Sequence, residues 1–504
     1  MTPSTHDEPR RLAAIDLGSN SFHLLVANYQ HERFQVTAKY GEKVQLAAGL
    51  DDDLRLSDEA MQRAMECLAR FAPFVADIDP RHLRIVGTQT LRMASNGQEL
   101  IAHAEALLGH EVEIVSGREE ARLIYLGVAH SLADVHGRRF ILDIGGGSTE
   151  FIIGERFEPQ ALESLEMGCV SYTRRFFAEG TIDESRFRQA EIAALYEVES
   201  IRQPFLQLGW SDPVGTSGTI RNVAAIVSAE GASVEGIIRR DALFRLRQQL
   251  IDCGHVDQLA LVGLKPDRAR VFPAGVAVLC AVFEAFDLPF LRYSDGALRE
   301  GILYDLIGRN TPEDSRLKTL DGLDLRYATD RRQAANVVAS AMAAFDQVAE
   351  AWQLGDEQRQ LLAWAARLHE IGLAVSHSQF HRHGAYLLEH SDLPGFSRTD
   401  QRGLAFLVRA HRRKFPIKEL KEFPATVRQR YARLARLLRL AAILNHSRPE
   451  TPPDDVTLGV EGDVLLVTLP GGLTGSALLL GALEQEKNYQ LAAGYQLEII
   501  PGAR

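Results

Sequence analysis

The sequence has only four cysteines and no long uninterrupted run of apolar residues. The cysteines lie far apart and form no CxxC pair, which excludes a disulfide scaffold and a zinc ribbon and favours a reducing compartment. The N-terminal segment MTPSTHDEPRR lacks the apolar core of a secretory signal. The most apolar stretch, 271–291, is interrupted by Glu284 and Asp287, so it predicts a buried helix rather than a membrane span. We therefore expect a soluble, cytoplasmic protein without integral membrane association.

Positive charge is also scarce over the chain as a whole. The 56 Lys and Arg are outnumbered by 67 Asp and Glu, which gives a net charge of −11. No nucleic-acid partner is therefore expected. Apolar residues make up 46% and charged residues 24% of the 504 residues, an ordinary globular composition whose length predicts three or four domains.

Two short segments look like one loop used twice. Residues 13–27 read AAIDLGSNSFHLLVA and residues 140–154 read FILDIGGGSTEFIIG. Each is an apolar strand ending in Asp, a turn rich in Gly and Ser, and a second apolar strand. Glycines allow a ligand to approach the backbone, and successive N–H groups can form an anion nest. Because Asp16 and Asp143 would repel a phosphate, the pair predicts a phosphate site with Mg²⁺, although either segment alone also fits an ordinary β-hairpin.

The paired loops resemble the phosphate loops of the actin-like superfamily, and more closely those of the exopolyphosphatase and guanosine pentaphosphate phosphatase family. The resemblance covers nearly the whole chain through GTQTLRMASN (87–96), SGREEARLIY (116–125), EMGCVSYTRRFF (166–177), GTSGTIRN (215–222) and SDGALREGILYD (294–305). It implies an α/β fold of two actin-like (ribonuclease H-like) lobes followed by an all-α HD-like domain. The alternating pattern of residues 454–504 predicts a hairpin, a helix and a final strand, which form a small α/β C-terminal domain. The expected boundaries are 1–125 for lobe I with the first loop, 126–310 for lobe II with the second, 315–448 for the helical domain with a basic strip, and 449–504 for the C-terminal domain.

The resemblance also implies roles for individual residues. Glu120 matches the group that positions and deprotonates the attacking water, and Arg92 matches a group that clamps the terminal phosphoryl oxygens. Asp143 and Glu150 are expected to bind Mg²⁺, directly or through water, and K⁺ is a candidate activator. The residues expected to contact substrate phosphates are Asp16, Gly18, Ser19, Asn20, Ser21, Asn96, Gly145, Gly146, Gly147, Ser148, Thr149, Gly215, Ser217, Gly218 and Thr219.

Local sequence leaves plainer interpretations open for several of these residues. The pattern SGRE (116–119) is a capping box, so Glu120 also fits a solvated carboxylate in a first helical turn. Arg92 also fits a surface charge, and Glu150 an exposed strand position. Asn96 either contacts phosphate or positions Arg92, and GTSGT either holds a second stretch of phosphate chain or only closes the turn into a helix.

The block 315–448 has a helical pattern and many histidines, and it resembles the HD phosphohydrolase domain. The His-Asp pair of that domain is replaced here by His369 and Glu370, and Ala441 and Ala442 stand where a later Asp is expected. Metal-dependent catalysis by this block is therefore not expected.

The end of this block is strongly basic. Residues 402–448 contain 13 Lys and Arg against two Glu, a net charge of +11 on an acidic chain. Such a strip fits a track for a linear polyanion, although it also fits a solvated helix face. Aromatic residues are few in it, which favours a phosphate chain over single-stranded nucleic acid.

Together these patterns predict an exopolyphosphatase that releases orthophosphate processively from inorganic polyphosphate, threaded along the basic strip into the cleft. The resemblance of DIGGGSTE, SDGALREG and HSQFHRHGAYLLEHSDLPGF favours polyphosphate. The nearest alternative is hydrolysis of guanosine pentaphosphate (pppGpp) by the same site. An actin-like kinase or ATPase and a non-enzymatic polyphosphate sensor are more distant alternatives. A homodimer is expected.

Overall fold

The computed structural model describes residues 10–30, 33–132, 137–229, 231, 234, 236–309, 314–470, 473 and 476–501. The chain forms two compact units, Met1–Asp314 and Ser315–Arg504. The N-terminal segment discussed above, up to residue 9, and residues 310–313 near the predicted end of lobe II lie outside the described residues.

Unit 1, Met1–Asp314, alternates strands and helices. Its elements are β1 (Arg10–Leu17), β2 (Ser21–Gln30), β3 (Arg33–Lys43), α1 (Asp58–Val75), β4 (Leu83–Gly87), α2 (Gln89–Met93), α3 (Gly97–Leu108), β5 (Val112–Ile114), α4 (Gly117–Ser131), β6 (Arg138–Ile144), β7 (Thr149–Glu155), β8 (Glu158–Leu165), α5 (Cys169–Phe176), α6 (Glu184–Leu208), β9 (Asp212–Thr216), α7 (Ser217–Ala229), β10 (Ile237–Arg239), α8 (Arg240–Cys253), α9 (Phe272–Ala285), β11 (Phe290–Tyr293) and α10 (Leu298–Gly308).

The two sheets of unit 1 repeat one strand order. The first sheet runs β3-β2-β1-β4-β5, and the second runs β8-β7-β6-β9-β11 with β10 added at its edge. In each, the central strand pairs antiparallel with the next strand in sequence and parallel with a later one. Asp16 and Asp143 therefore occupy equivalent positions, one residue before the end of β1 and of β6. This repetition confirms the predicted pair of actin-like lobes.

Helices α4 and α10 pack between the sheets. Their side chains, such as Ile124 and Ile302, share one buried cluster with Ala14 of β1 and Ile141 of β6. Burial of such aliphatic side chains contributes about 1.5–3 kcal/mol each. The boundary predicted at 125/126 falls inside α4. This helix packs between the two lobes and contacts the sheets of both.

The apolar stretch 271–291 forms a buried helix, as expected. It corresponds to α9, whose side chains are buried on nearly every face, and to the start of β11. In the described part of the chain, no helix is both long and apolar enough to cross a membrane.

Unit 2, Ser315–Arg504, is helical before it ends in a small sheet. Its elements are α11 (Ser315–Tyr327), α12 (Arg331–Trp352), α13 (Asp356–Leu368), α14 (Phe380–His390), α15 (Arg398–Ala410), α16 (Ile417–Lys421), α17 (Ala425–Leu444), β12 (Thr457–Glu461), β13 (Val464–Leu469), α18 (Ala477–Leu491) and β14 (Gln496–Pro501). The predicted hairpin, helix and final strand after residue 454 are confirmed. Buried residues of this α/β segment, such as Leu465 and Leu497, belong to the same core cluster as Trp352 of α12, so the segments predicted as two domains share one core.

The predicted basic strip at 402–448 is not a continuous exposed face. Arg436 and Arg439 on α17 are each only 1% exposed. Arg436 donates to Oε1 of Gln490 at 2.8 Å, and Arg439 donates to Glu486 at 2.6 Å. Because these guanidinium groups join α17 to α18, the expectation that they face a polyanion is wrong.

Candidate functional site

The two Asp-containing turns face each other across one cavity of about 170 Å³. Asp16 and Asp143 both line it. A Cβ atom on Gly146 would lie 3.0 Å from Cβ of Ser19 and 3.4 Å from the backbone nitrogen of Asn20. Glycine at this position therefore lets the second turn approach the first. Of the residues expected to contact phosphate, the structure brings together Asp16, Gly18, Ser19, Asn20, Ser21, Gly145, Gly146, Ser148, Ser217 and Gly218.

Helix α5 holds the second turn in place. The N–H of Cys169 donates to the carbonyl of Gly145 at 3.0 Å, and the N–H of Val170 donates to that of Gly146 at 2.7 Å. A Cβ atom on Gly168 would lie only 2.4 Å from the carbonyl oxygen of Gly146. The carbonyls of the turn are thus occupied, while the N–H of Gly146 has no hydrogen-bond partner within the described ranges. An N–H group in this state is suited to bind an anion.

The first turn is fixed in the same way by the segment that follows β3. The N–H groups of Gln45 and Ala47 donate to the carbonyls of Asn20 and Ser19, both at 2.9 Å. Both turns therefore have their carbonyls bound by neighbouring backbone.

Carboxylates crowd this cavity. Asp16, Glu120 and Asp143 line it, and Oδ1 of Asp16 and Oε2 of Glu120 are buried without a hydrogen-bond partner among the residues that the structure describes. Burial, followed by repulsion from Glu150, raises the pKa of both Glu120 and Asp143 well above their ordinary values. Burial also raises the pKa of Glu150 to about 7. Such a cluster stabilises a bound cation.

Glu150 is placed differently from the other three carboxylates. It is 1% exposed and accepts a hydrogen bond from Ser164 Oγ at 2.8 Å. It pairs with Asp143 in the ladder between β6 and β7, but it does not line the cavity. The sequence left open that Glu150 is an exposed strand residue, and the structure shows instead that its side chain is buried.

The donor set fits Mg²⁺. Among the described residues, no three His, Cys, Asp or Glu side chains converge closely enough to form a protein cage for a metal. Mg²⁺ is commonly held by one or two carboxylates together with water and substrate oxygens. Asp16 and Asp143 at the cavity, with Glu150 buried beside them, meet this requirement, and Mg²⁺ binding by Asp143 and Glu150 stays a prediction.

Helix α4 presents Glu120 to the cavity. The helix begins after Ser116, whose Oγ accepts a hydrogen bond from the N–H of Glu119 at 3.2 Å. The Glu119 carboxylate accepts two hydrogen bonds of 2.8 Å from Arg122, which also pairs with Asp305 of α10. This buried network fixes α4 against α10 and thereby fixes the position of Glu120.

Arg92 lies beside Glu120 rather than at the cavity wall. Its Nη1 is 3.8 Å from Oε2 of Glu120 and donates to the carbonyl of Val115 at 2.7 Å. The guanidinium lowers the pKa of Glu120 and so opposes the effect of burial. In this geometry the Arg92 guanidinium interacts with the carboxylate of Glu120. Direct contact of Arg92 with phosphate stays a prediction.

The segment GTSGT meets the cavity at the start of α7. Thr216, Ser217 and Gly218 line it, and the predicted helix does begin at Ser217. Ser217 has φ +93° and its buried Oγ has no partner among the described residues. Strain of this kind in a non-glycine residue is typical of ligand sites.

Five of the residues expected to contact phosphate do not line the cavity: Asn96, Gly147, Thr149, Gly215 and Thr219. Asn96 accepts from the N–H of Leu56 at 2.8 Å and donates to the carbonyl of the same residue at 3.0 Å, so its side chain fastens a loop. Thr149 Oγ1 donates to the carbonyl of Met167. The side chains of Asn96 and Thr149 thus contribute to the framework, and contact of the five residues with phosphate stays a prediction.

Several lining residues were missed by sequence reasoning. His23 lies 3.4 Å from Asp16, and Arg221, Arg268 and Arg299 bring positive charge to the wall. Arg221 and Arg299 belong to the motifs GTSGTIRN and SDGALREG, which could have revealed them, whereas Arg268 lies in no motif.

The three arginines continue into an adjoining cavity of about 290 Å³. Its other basic residues are Lys39, Lys43 and Lys265, and it shares Ser21, His23, Arg221, Arg268 and Arg299 with the first cavity. The carboxylate-rich site thus extends into a basic one.

A two-lobed α/β fold whose paired Asp-containing turns meet at one cavity is the architecture of actin-like proteins. The model of the Ppx/GppA phosphatase family matches residues 25–310, and that of domain III of the same family matches residues 315–487. The chain belongs to the Ppx/GppA phosphatase family. This confirms the resemblance seen in the sequence, and the chain is thereby a member of a family of phosphoanhydride hydrolases.

Two relatives match nearly the full length. A protein of Aeromonas hydrophila is 41% identical over 468 residues, covering 93% of this chain and 94% of that protein. A protein of Vibrio cholerae is 41% identical over 489 residues, covering 97% of each. Both are named guanosine-5′-triphosphate,3′-diphosphate pyrophosphatase.

Among solved structures, an exopolyphosphatase from Cytophaga hutchinsonii is 26% identical, with a TM-score of 0.54. The match covers 59% of this chain and 98% of that one. The Aquifex aeolicus member of the Ppx/GppA family matches with 22% identity and a TM-score of 0.51, and it supports the fold alone.

Proposed function

We propose that this protein hydrolyses the terminal 5′-phosphoanhydride bond of pppGpp and releases orthophosphate. The observation that carries the proposal is the cavity where both Asp-containing turns meet beside Glu120, whose Oε2 accepts no hydrogen bond from the described residues. The near-full-length relatives are named for this nucleotide, whereas the structure named exopolyphosphatase matches only 59% of the chain. The comparisons thus favour the alternative over the polyphosphate preference drawn from the motifs.

In this proposal, the two Asp-containing turns and Arg268 bind the terminal phosphate. The Gly146 N–H and the hydroxyls of Ser19, Ser148 and Ser217 supply hydrogen-bond donors around the cavity. Arg268 adds a fixed positive charge for the oxygens that become more negative as the bond breaks. Because these groups are held in place before substrate arrives, little reorganisation is needed in the transition state.

Glu120 is the general base of this proposal. Its carboxylate would orient a water molecule in line with the terminal phosphorus and accept the proton as the O–P bond forms. Mg²⁺ held by Asp143 and Glu150 would neutralise phosphate oxygens when bound. Placing positive charge beside these carboxylates would favour the ionised form of Glu120, which a base requires.

The adjoining basic cavity supports a substrate with two phosphate arms. A pppGpp molecule carries a triphosphate on one side of its ribose and a diphosphate on the other. The carboxylate-lined cavity would take the first arm, and the region around Lys39 and Lys265 would take the second. Inorganic polyphosphate is the second candidate, favoured by the same basic extension, which could hold a continuing linear chain.

The test compares kcat/KM for phosphate release from pppGpp, long-chain polyphosphate and ATP with Mg²⁺ present. We expect the highest value for pppGpp. A higher value for polyphosphate would establish the second candidate, and absence of release from both would contradict the proposal. Arg268→Gln should raise KM for pppGpp at least tenfold, whereas Arg245→Gln, an exposed position on α8 paired with Asp241, should leave it unchanged.

The ion and subunit requirements are part of the same proposal. Chelation with EDTA should abolish release, and added Mg²⁺ should restore it. K⁺ is expected to activate further, and light scattering is expected to show a homodimer.

A further inference from the structure

A second cavity lies within unit 2, and the chemistry proposed above does not use it. Its volume is about 400 Å³, within the range of small-molecule sites. Its lining includes two buried histidines, a tyrosine ring and two adjacent arginines. They are His369, His411, Tyr489 and the arginine pair formed by Arg412 and Arg413.

The two histidines present acceptors. Nδ1 of His369 lies 2.7 Å from the carbonyl oxygen of Ala366, and Nδ1 of His411 lies 2.7 Å from that of Val408. Because a carbonyl oxygen can only accept, each Nδ1 carries the proton. Burial lowers the pKa of both rings below the ordinary value, so both are neutral at pH 7. Their Nε2 atoms are thus acceptors suited to a hydroxyl group.

The arginine pair leaves the cavity with excess positive charge. Each carboxylate at the wall has its own cation, since Glu370 pairs with Arg448 at 2.8 Å and Glu486 pairs with Arg439 at 2.6 Å. The arginine pair has no ion-pair partner within 4 Å in the described part of unit 2. Guanidinium groups without a carboxylate partner are suited to phosphoryl oxygens.

Two further observations point to a ligand. Gln333 is 4% exposed and lines the cavity, and its Oε1 has no hydrogen-bond partner among the described residues, while its Nε2 donates to the carbonyl of Asn445 at 2.9 Å. Buried acceptors are rarely left unpaired. Arg413 has φ +65°, a strained conformation that is common at binding sites.

We propose that this cavity binds a nucleotide. The arginine pair binds its phosphoryl groups, the histidine Nε2 atoms and Gln333 Oε1 accept from ribose hydroxyls, and the base packs against Tyr489. Ala442 lines the wall where the HD resemblance would place a metal-binding Asp, so the proposal is for binding, without the metal-dependent hydrolysis of HD domains. This function goes beyond the proposed hydrolysis in unit 1 and does not rest on it.

The test is photolabelling of the full-length chain with 8-azido-GTP, in an E120Q background that limits turnover. Labelled peptides are identified by mass spectrometry. We expect labelling of peptides containing Tyr489 or the wall around His369, suppressed by excess GDP and not by the same concentration of inorganic phosphate. The double variant R412Q/R413Q should reduce this labelling at least tenfold.

The matched control is R382Q/K414Q, which removes the same charge from nearby residues that do not line the cavity. It should leave the labelling unchanged. Tyr489→Leu, on a different part of the wall, should reduce labelling as well, so the test does not depend on the folding of one variant. Absence of unit 2 labelling, equal labelling of R412Q/R413Q, or equal competition by inorganic phosphate would overturn the proposal.

Discussion

Glu119 and Glu120 are neighbours on α4, yet their carboxylates have opposite environments. Glu119 accepts two hydrogen bonds of 2.8 Å from Arg122 and lies 3.7 Å from Arg84. Glu120 reaches the cavity, where Oε2 has no hydrogen-bond partner among the described residues. The helix turns by about 100° per residue, so one carboxylate contributes to the framework while the next lines the cavity.

The first prediction separates these two roles. Glu120→Gln keeps the size of the side chain but removes the base, so kcat for phosphate release should fall about 10²–10⁴-fold. Substrate KM should change little, because the turns and cations remain. Steady-state kinetics on pppGpp measures both constants.

The neighbouring substitution is its control. Glu119→Gln leaves Arg122 and Arg84 buried with less compensating charge, so the free energy of unfolding should fall by about 3 kcal/mol. Activity per folded molecule should be retained. Equal loss of kcat in both variants would contradict the assignment of Glu120 as the base.

The second prediction concerns the backbone contact that holds the second phosphate turn. In Gly168→Ala the new Cβ would lie 2.4 Å from the carbonyl oxygen of Gly146, so the turn must move. A displacement of this kind should lower kcat/KM about 10- to 100-fold. In the control Gly322→Ala, Cβ meets open space within α11, so stability should rise by about 0.5–1 kcal/mol with activity unchanged. Wild-type activity of Gly168→Ala would refute the structural role of this contact.

The third prediction follows from the buried carboxylate of Glu150, whose pKa rises from 4.5 to about 7 in the folded state. Between these two values the folded protein holds a proton that the unfolded chain releases, so this group lowers stability as the pH rises through that window. Without Mg²⁺, Glu150→Gln should therefore stabilise the protein by up to about 3 kcal/mol at pH 8 and by little at pH 4. Urea unfolding at the two pH values measures the difference, and a pH-independent effect would contradict it.

The fourth prediction concerns the basic residues of α17. Arg439→Gln breaks the buried pair with Glu486 and should destabilise the protein by about 3–5 kcal/mol, without changing KM for any phosphate substrate. Arg430→Gln, at an exposed position of the same helix, should change the free energy of unfolding by less than about 0.5 kcal/mol. A raised KM for polyphosphate in Arg439→Gln would contradict this prediction and would support the polyanion-binding strip predicted from the sequence.

Much of the architecture could be predicted because its signals are local. The two strand–turn–strand segments, the helix beginning after Ser116 and the hairpin after residue 454 each follow from short-range patterns of apolar, glycine and capping residues. The packing of α4 against α10 could not be predicted in this way, because it joins residues far apart in sequence; α4 itself continues across the predicted lobe boundary at 125/126.

By itself, the sequence determined the two Asp-containing turns, the family and the position of Glu120 within a helix, since each rests on residues adjacent in the chain. Only the tertiary structure decided which side chains share the cavity. It brings Arg268 to the wall and directs Asn96 to a distant loop, and it buries Arg439 where composition suggested exposure. The reason is physical: a contact between residues far apart in sequence depends on how whole sheets and helices pack, which no short pattern encodes.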